Sequence, residues 1–363
     1  MSQHDPDGDP PSPSSESPPV FEPGGRRHAF VGLEIAGYLI AVILVLQLAG
    51  GLLITAFGYS LLPPSDEVTE QAVDDSTQPA PPSGVDQALP GVGSDDAIDA
   101  TDSDDPSDIP SSVLMWVAVL SAPLLWQVTV FFSRRFAAAN LAGLGVSVPA
   151  AWRRMAGIGA LVAFAGPVLW LLLAGFGGGV TIRGIHPEVT ASPLGAIARI
   201  VIWATGFFVL AATWELVFRG YVYSRLRRHL NWANAAGISA VTMVLLFGDP
   251  TAPVYGLLNV FLIGLALALV REATGSILPG AIAHATWNTT IACLLSLPLS
   301  GTDAFRLLSV EVGSQVAISG GNYGPEGSLS MTGLLLPAVI ALAFVISDSR
   351  DDGTGEEAGP SAD

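Results

Sequence analysis

Hydrophobic positions dominate the chain from about Ser112 onward, in blocks at about 112–132, 155–176, 195–220, 236–249, 252–270, 277–299 and 328–347. An earlier apolar run extends from about Ala29 to Leu62, directly after Arg26-Arg27. Twin arginines before an apolar run suggest an export signal, but this run is too long for a signal h-region and reads as a first transmembrane helix. A membrane-crossing helix needs about 20 apolar residues. The pattern therefore predicts an all-α, polytopic transmembrane helix bundle of about eight spans. The 236–249 block is short, and Pro250 and Pro253 separate it from the next. Irregular backbone at membrane depth is tolerated only where protein or a water-filled cavity surrounds it. No internal repeat is visible.

The polar segments predict the rest of the organisation. Residues 1–28 are rich in Pro, Ser, Asp and Gly and read as a disordered N-terminal tail. Residues 29–62 form the first transmembrane helix, 63–111 a disordered acidic loop, 112–347 the transmembrane helical core, and 348–363 a disordered acidic C-terminal tail.

Composition sharpens this picture. Of the 363 residues, 50% are hydrophobic and only 13% charged, against about 25% charged in an ordinary soluble domain. Mean hydropathy is +0.53. A net charge of -17 is unexpected in a membrane protein until its acids are located. Residues 1–28 hold five of them, 64–110 thirteen and 348–363 six, which leaves eight of the 32 for the apolar body. Such a chain lacks the basic face of a nucleic-acid binder. Cys293 is the only cysteine, so a disulfide framework is excluded. No CxxC, HExxH or Cys/His cluster occurs, and neither a metal nor another cofactor is expected. Every basic residue is Arg. Lysine-free, acid-rich polar segments fit a high-salt host and equally a GC-rich genome.

Arginine placement predicts orientation. Odd-numbered helices leaving the cytoplasm put Arg26, Arg27, Arg134, Arg135, Arg153, Arg154, Arg225, Arg227, Arg228, Arg271 and Arg350 inside, while Arg183 and Arg306 fall in outer loops. Both termini are then cytoplasmic, the acidic loop 63–111 lies outside, and the plasma membrane of a prokaryote is the expected location.

An ionisable residue within a span costs roughly 2.5–3.5 kcal/mol on insertion scales, so each one is a functional candidate. Glu215 and Arg219 are four apart on one helical face, which suits either an intrahelical ion pair or a site. His284 and Asn288 are also four apart. They offer hydrogen bonds either to another helix or to a carbonyl oxygen developing negative charge. Asp249 stands before Pro250, where ordinary turn chemistry explains it and a site role is the alternative.

The run Trp214-Glu215-Leu216-Val217-Phe218-Arg219-Gly220-Tyr221 resembles the first motif of the CPBP (Abi) family of intramembrane proteases, two glutamates followed after three residues by Arg. His284-Ala285-Thr286-Trp287-Asn288 is similar to the family's third motif, and Gly275 to Ala283 to its lead-in. The stretch Gly320-Gly321-Asn322-Tyr323-Gly324-Pro325-Glu326-Gly327-Ser328 resembles a Gly-rich loop seen in many members. The resemblance covers roughly residues 195–345. It implies hydrolysis of a peptide bond in a membrane-associated or lipidated substrate. It gives water activation to the first glutamate and a second-motif histidine, and oxyanion stabilisation to His284 and Asn288.

Two positions depart from the pattern. Trp214 stands where the first glutamate belongs. Phe247 opens the second motif, but Thr251 stands where its histidine belongs. Trp cannot take a proton, and general acid–base help is typically worth 10²–10⁴-fold. A Glu215/Asp249 pair sharing one proton is chemically able to supply a base. The sequence thus frames an intramembrane endopeptidase using Glu215, Arg219, His284, Asn288 and Asp249. The alternative is a catalytically inactive relative that binds membrane proteins or peptides as regulator, chaperone or immunity factor. A transporter has only the intramembrane charges and the broken helix in its favour. The expected partners are the lipid bilayer and a membrane-embedded or lipidated peptide, with no nucleic acid.

Overall fold

The computed structural model describes residues 24–59, 109–137, 139–148, 150–248 and 252–354. The expected acidic segments lie largely outside these, and Asp249 and Thr251 lie outside them altogether. Among the described residues the chain forms α1 (Gly24–Ala56), α2 (Ser111–Phe132), α3 (Trp152–Phe176), the short α4 (Pro187–Ala191), α5 (Pro193–Glu215) and the single turn α6 (Ser224–Arg227). It continues with α7 (Trp232–Phe247), α8 (Val254–Thr274), α9 (Leu278–Thr289), the short α10 (Val316–Ser319) and α11 (Leu329–Thr354).

Every hydrophobic block read from the sequence becomes a helix. Six helical stretches are long and apolar enough to cross a membrane, and α7 is a shorter apolar helix. The 277–299 block splits into the 12-residue α9 and a wider π-helical continuation, Thr290–Leu294. The protein is an integral membrane protein. Its outer surface agrees with this, since large side chains such as Leu48, Leu52, Phe176, Leu194, Leu245 and Phe344 are exposed. In water such a patchwork would be an aggregation surface; in a bilayer it meets lipid tails.

Helix α9 is the centre of the arrangement, packing against both α3 and α5. Helix α8 packs against α7 and α11. Close approach relies on missing side-chain volume. A Cβ at Gly264 of α8 would meet Ala240 of α7 at 3.3 Å, and one at Gly166 of α3 would meet the Trp287 ring of α9 at 3.1 Å. Without a hydrophobic drive between helices in lipid, such small-residue contacts carry much of their association.

Helix α1 is held by a polar set near one end of the bundle. Glu34 accepts from Arg225 Nη2 at 2.7 Å and from the Tyr221 hydroxyl at 2.6 Å. One helical turn on, the buried Tyr38 hydroxyl bonds Thr129 of α2 at 2.8 Å.

A two-stranded antiparallel sheet is not predicted by the hydrophobic blocks. Strand β1 (Val180–Ile185) pairs with β2 (Leu308–Val312), with an irregularity between Ile182 and Gly184. Across it the Arg183 guanidinium donates to Glu311 and holds that carboxyl below its ordinary range.

The Gly-rich segment folds as a tight loop between α10 and α11. Gly320, Gly321 and Gly324 have positive φ. A Cβ at Gly324 would stand 1.9 Å from the Pro298 carbonyl oxygen. The buried Asn259 amide of α8 donates to the carbonyls of Glu326 (2.7 Å) and Ser328 (2.9 Å), and Thr332 donates to its other end. The Trp170 indole of α3 donates to Ser328 and Ser330. Three helices therefore fix one loop. Gly324→Ala adds both a disfavoured φ and a backbone clash, and we expect a loss of roughly 2–4 kcal/mol. Gly333→Ala in α11, where nothing lies within 4 Å of the added carbon, is the control. Thermal unfolding of the two variants in detergent should separate them.

Candidate functional site

Glu215 is the last residue of α5, and it is fully buried. The helix does not stop there. It widens into a π-helical stretch, Leu216–Tyr223, and resumes as α6. Such widened turns are uncommon and frequent at functional sites. This one carries Arg219, also fully buried. Arg219 Nη1 lies 3.2 Å from Glu215 Oε1, while Nη2 donates to the Gly264 carbonyl of α8 at 2.7 Å and approaches the Met243 sulfur of α7 at 3.4 Å. The guanidinium thus ties α5, α7 and α8 together.

Helix α9 begins with Pro279 in its first turn, a position where the missing N–H costs nothing. The Ser276 hydroxyl accepts from the Leu278 N–H and donates to the Ser147 carbonyl, fixing the entry. Gly280 then allows α9 to meet Glu215, since a Cβ there would be 3.0 Å from Glu215 Oε2. One turn further, His284 Nδ1 faces Glu215 Oε1 at 3.5 Å. Glu215 Oε1 therefore lies between a guanidinium and an imidazole. Neither carboxylate oxygen makes a well-aligned hydrogen bond, and both are buried, as is Nδ1 of His284.

His284, Trp287 and Asn288 project from one face of α9 into a cavity of about 350 Å³. Its other polar lining includes Ser300, Thr302, Asp303 and Glu326. Its apolar lining includes Trp203 and Phe207 of α5 and Met115 of α2. With Nδ1 turned to Glu215, Nε2 is the nitrogen that His284 presents to the cavity. Glu215 and Arg219 do not line it; they stand behind the imidazole.

Trp214, which departs from the first motif, and Phe247, which opens the second, meet at the cavity wall. Their rings pack edge to face with centroids 4.5 Å apart, and Phe218 completes the cluster at 6.1 Å from Trp214. The structure thus brings Glu215, Arg219 and His284 into contact, and Asn288, Trp214 and Phe247 into the same cavity as His284. Asp249 and Thr251 fall outside the described residues.

Sequence reasoning missed Glu326. Its side chain lines the cavity, accepts from the Trp287 indole at 2.9 Å and takes a hydrogen bond from the Ser300 hydroxyl. It is 5% exposed, and no ion pair reaches it among the described residues. The available signal was its position as the one acid in the Gly-rich loop. Ser300 adopts φ +48°, uncommon for a residue with a side chain, and no sequence pattern announced it. No three His, Cys, Asp or Glu side chains come together as a metal-ligand group among the described residues.

Residues 194–290 match the family described as type II CAAX prenyl endopeptidase Rce1-like. That stretch contains Trp214, Glu215, Arg219, His284 and Asn288, and ends before Glu326. A comparison with curated proteins finds no match.

The buried pair makes a direct prediction. Removing one member of such a pair strands the other charge and typically costs about 3–5 kcal/mol, whereas replacing both with apolar residues is often neutral. Arg219→Met should therefore lower stability by several kcal/mol, and Glu215→Leu combined with Arg219→Met should recover most of that loss. Unfolding of both variants and of Glu215→Leu alone completes the cycle.

Proposed function

From the Rce1-like domain of the CPBP/CAAX protease family at residues 194–290, we propose that this chain hydrolyses a peptide bond of a membrane-associated substrate, in the cavity faced by His284 and Asn288. The observation that carries the reading is the 3.5 Å approach of Glu215 to His284 Nδ1, with Asn288 one turn away on the same cavity-facing helix.

The chemistry follows from that geometry. A carboxylate facing Nδ1 fixes the ring and the tautomer, so that Nε2 carries the lone pair toward the cavity. His284 Nε2 takes a proton from water as the water oxygen bonds to the substrate carbonyl carbon. The Asn288 amide donates to the carbonyl oxygen as it becomes negative. The C–N bond then breaks, and the proton on His284 passes to the leaving nitrogen. Arg219 holds Glu215 in place and touches no substrate. In this scheme His284 takes over the water activation that the family resemblance gives to the positions now held by Trp214 and Thr251. The arginine distribution supports cytoplasmic termini and an outer acidic segment at 63–111.

A second reading rests on the Trp214–Phe247 contact. If the indole fills the space a water needs, the cavity binds peptide without cutting it, and the chain acts as a regulator, chaperone or immunity factor.

A cleavage assay in proteoliposomes with membrane-tethered peptides separates the two. The hydrolytic reading expects wild-type cleavage, with His284→Ala slowing it by about 10²–10⁴-fold. Glu215→Gln should lower kcat while leaving peptide binding nearly unchanged. Silence of the wild type, with cleavage only in the double variant Trp214→Glu and Thr251→His, would establish the binding reading instead.

A further inference from the structure

We propose that the cavity selects an internal stretch of peptide and rejects a chain that ends in a free α-carboxylate there, with Glu326 as the selecting residue. The proposal deepens the reading of this cavity as a peptide site and requires binding, not turnover.

The argument begins with the charges on the cavity wall. The lining residues include two acids, Glu326 and Asp303, and no arginine among those described. Asp303 is answered outside the cavity, where Arg306 Nη2 pairs with it at 2.9 Å on the exposed side. Arg219 is a buried cation beside the site. It is spent on Glu215 and the Gly264 carbonyl, behind the imidazole. Glu326 therefore meets the cavity with its charge uncompensated by any cation among the described residues.

Each of its two oxygens also takes a hydrogen bond from the protein. The Trp287 indole donates to one and the Ser300 hydroxyl to the other. Each oxygen keeps a further lone pair for a ligand. The group is held rigidly. Asn259 clamps the Glu326 backbone carbonyl, and Gly324, two residues earlier, lies tight against Pro298. A fixed, largely desolvated acceptor of this kind favours an amide N–H or a cationic side chain.

A free carboxylate brought into the same space meets a like charge in low dielectric with no guanidinium to receive it. Like-charge juxtaposition is a strong means of excluding a partner. This matters because the matched family's description names CAAX prenyl endopeptidases. A CAAX peptide ends three residues beyond its modified cysteine. Its terminal carboxylate would thus travel close to any bond cut near that cysteine. Glu326 lies beyond the matched stretch, so this preference is written in a part of the chain that the family match does not cover.

The test uses the full chain in lipid nanodiscs and three fluorescent, lipid-tethered peptides of one sequence. The first ends in a carboxylate, the second in a carboxamide, and the third extends ten residues past the same point. We expect the carboxamide and extended peptides to bind at least about tenfold more tightly than the carboxylate. Glu326→Gln should bring the three within about twofold, mainly by improving the carboxylate. Gln keeps an acceptor for Trp287 and a donor that the Ser300 oxygen can accept. Glu188→Gln, in the exposed pair with Arg199 and outside the cavity lining, should leave the preference unchanged.

Wild-type binding of the carboxylate peptide as tightly as the carboxamide overturns the proposal, whatever the variants do. A preference that survives Glu326→Gln overturns the assignment to Glu326. Binding with the expected preference but no cleavage removes the hydrolytic reading and leaves this one standing. Cleavage of the carboxylate peptide in preference to the others does the reverse, and no binding of any peptide removes both.

Discussion

One ion pair sets the terms for the centre of this molecule. Glu215 and Arg219 are both fully buried within helices otherwise composed of apolar residues. Neither charge is tolerable alone at that position. Satisfying them requires α5 to widen after Glu215, α8 to present a bare carbonyl at Gly264, α7 to bring Met243 near, and α9 to offer a glycine where the carboxylate sits. The imidazole of His284 then completes the surroundings of the carboxylate. The helix contacts that build the fold and the contacts that orient the candidate site are thus the same contacts.

A second polar layer is built around the Gly-rich loop. Asn259, Trp170, Ser328 and Thr332 form a connected hydrogen-bonded set that fixes the Gly-rich loop, and Trp287 joins that loop to α9 through Glu326. The cavity is enclosed between these layers, with the Trp214–Phe247 contact as part of its apolar wall. Around the Gly-rich loop the polar groups are paired with backbone carbonyls or with one another, as a water-poor interior demands.

The helical blocks were legible because lipid imposes a length and a composition that survive without any knowledge of packing. The face shared by His284 and Asn288 was legible for a similar reason, since a four-residue spacing fixes direction on a helix. Glu215 and Arg219 stood out because apolar neighbours make a charge conspicuous. Glu326 was not legible in the same way. It sits in a polar loop where an acid attracts no notice, and only the meeting of that loop with Trp287 turns it inward. The strands at Val180–Ile185 and Leu308–Val312 were missed because each is short and its partner is far away in sequence. The π-helical widening after Glu215 has no periodic signature in a run where nearly every residue is apolar.

The helical stretch Pro193–Arg227 is 35 residues long. At about 1.5 Å per residue it reaches roughly 50 Å, well beyond the roughly 30 Å hydrocarbon layer of a bilayer. Glu215 lies some 33 Å along it from Pro193 by the same rise. A helix that enters the hydrocarbon at its first residue therefore delivers Glu215 close to the level of the opposite headgroups. The hydrolytic chemistry proposed for this site needs a water molecule each time, and at that depth the supply is a short step from bulk solvent. For that proposed chemistry, excess length in one helix would do the work that a dedicated water channel would do at the bilayer midplane.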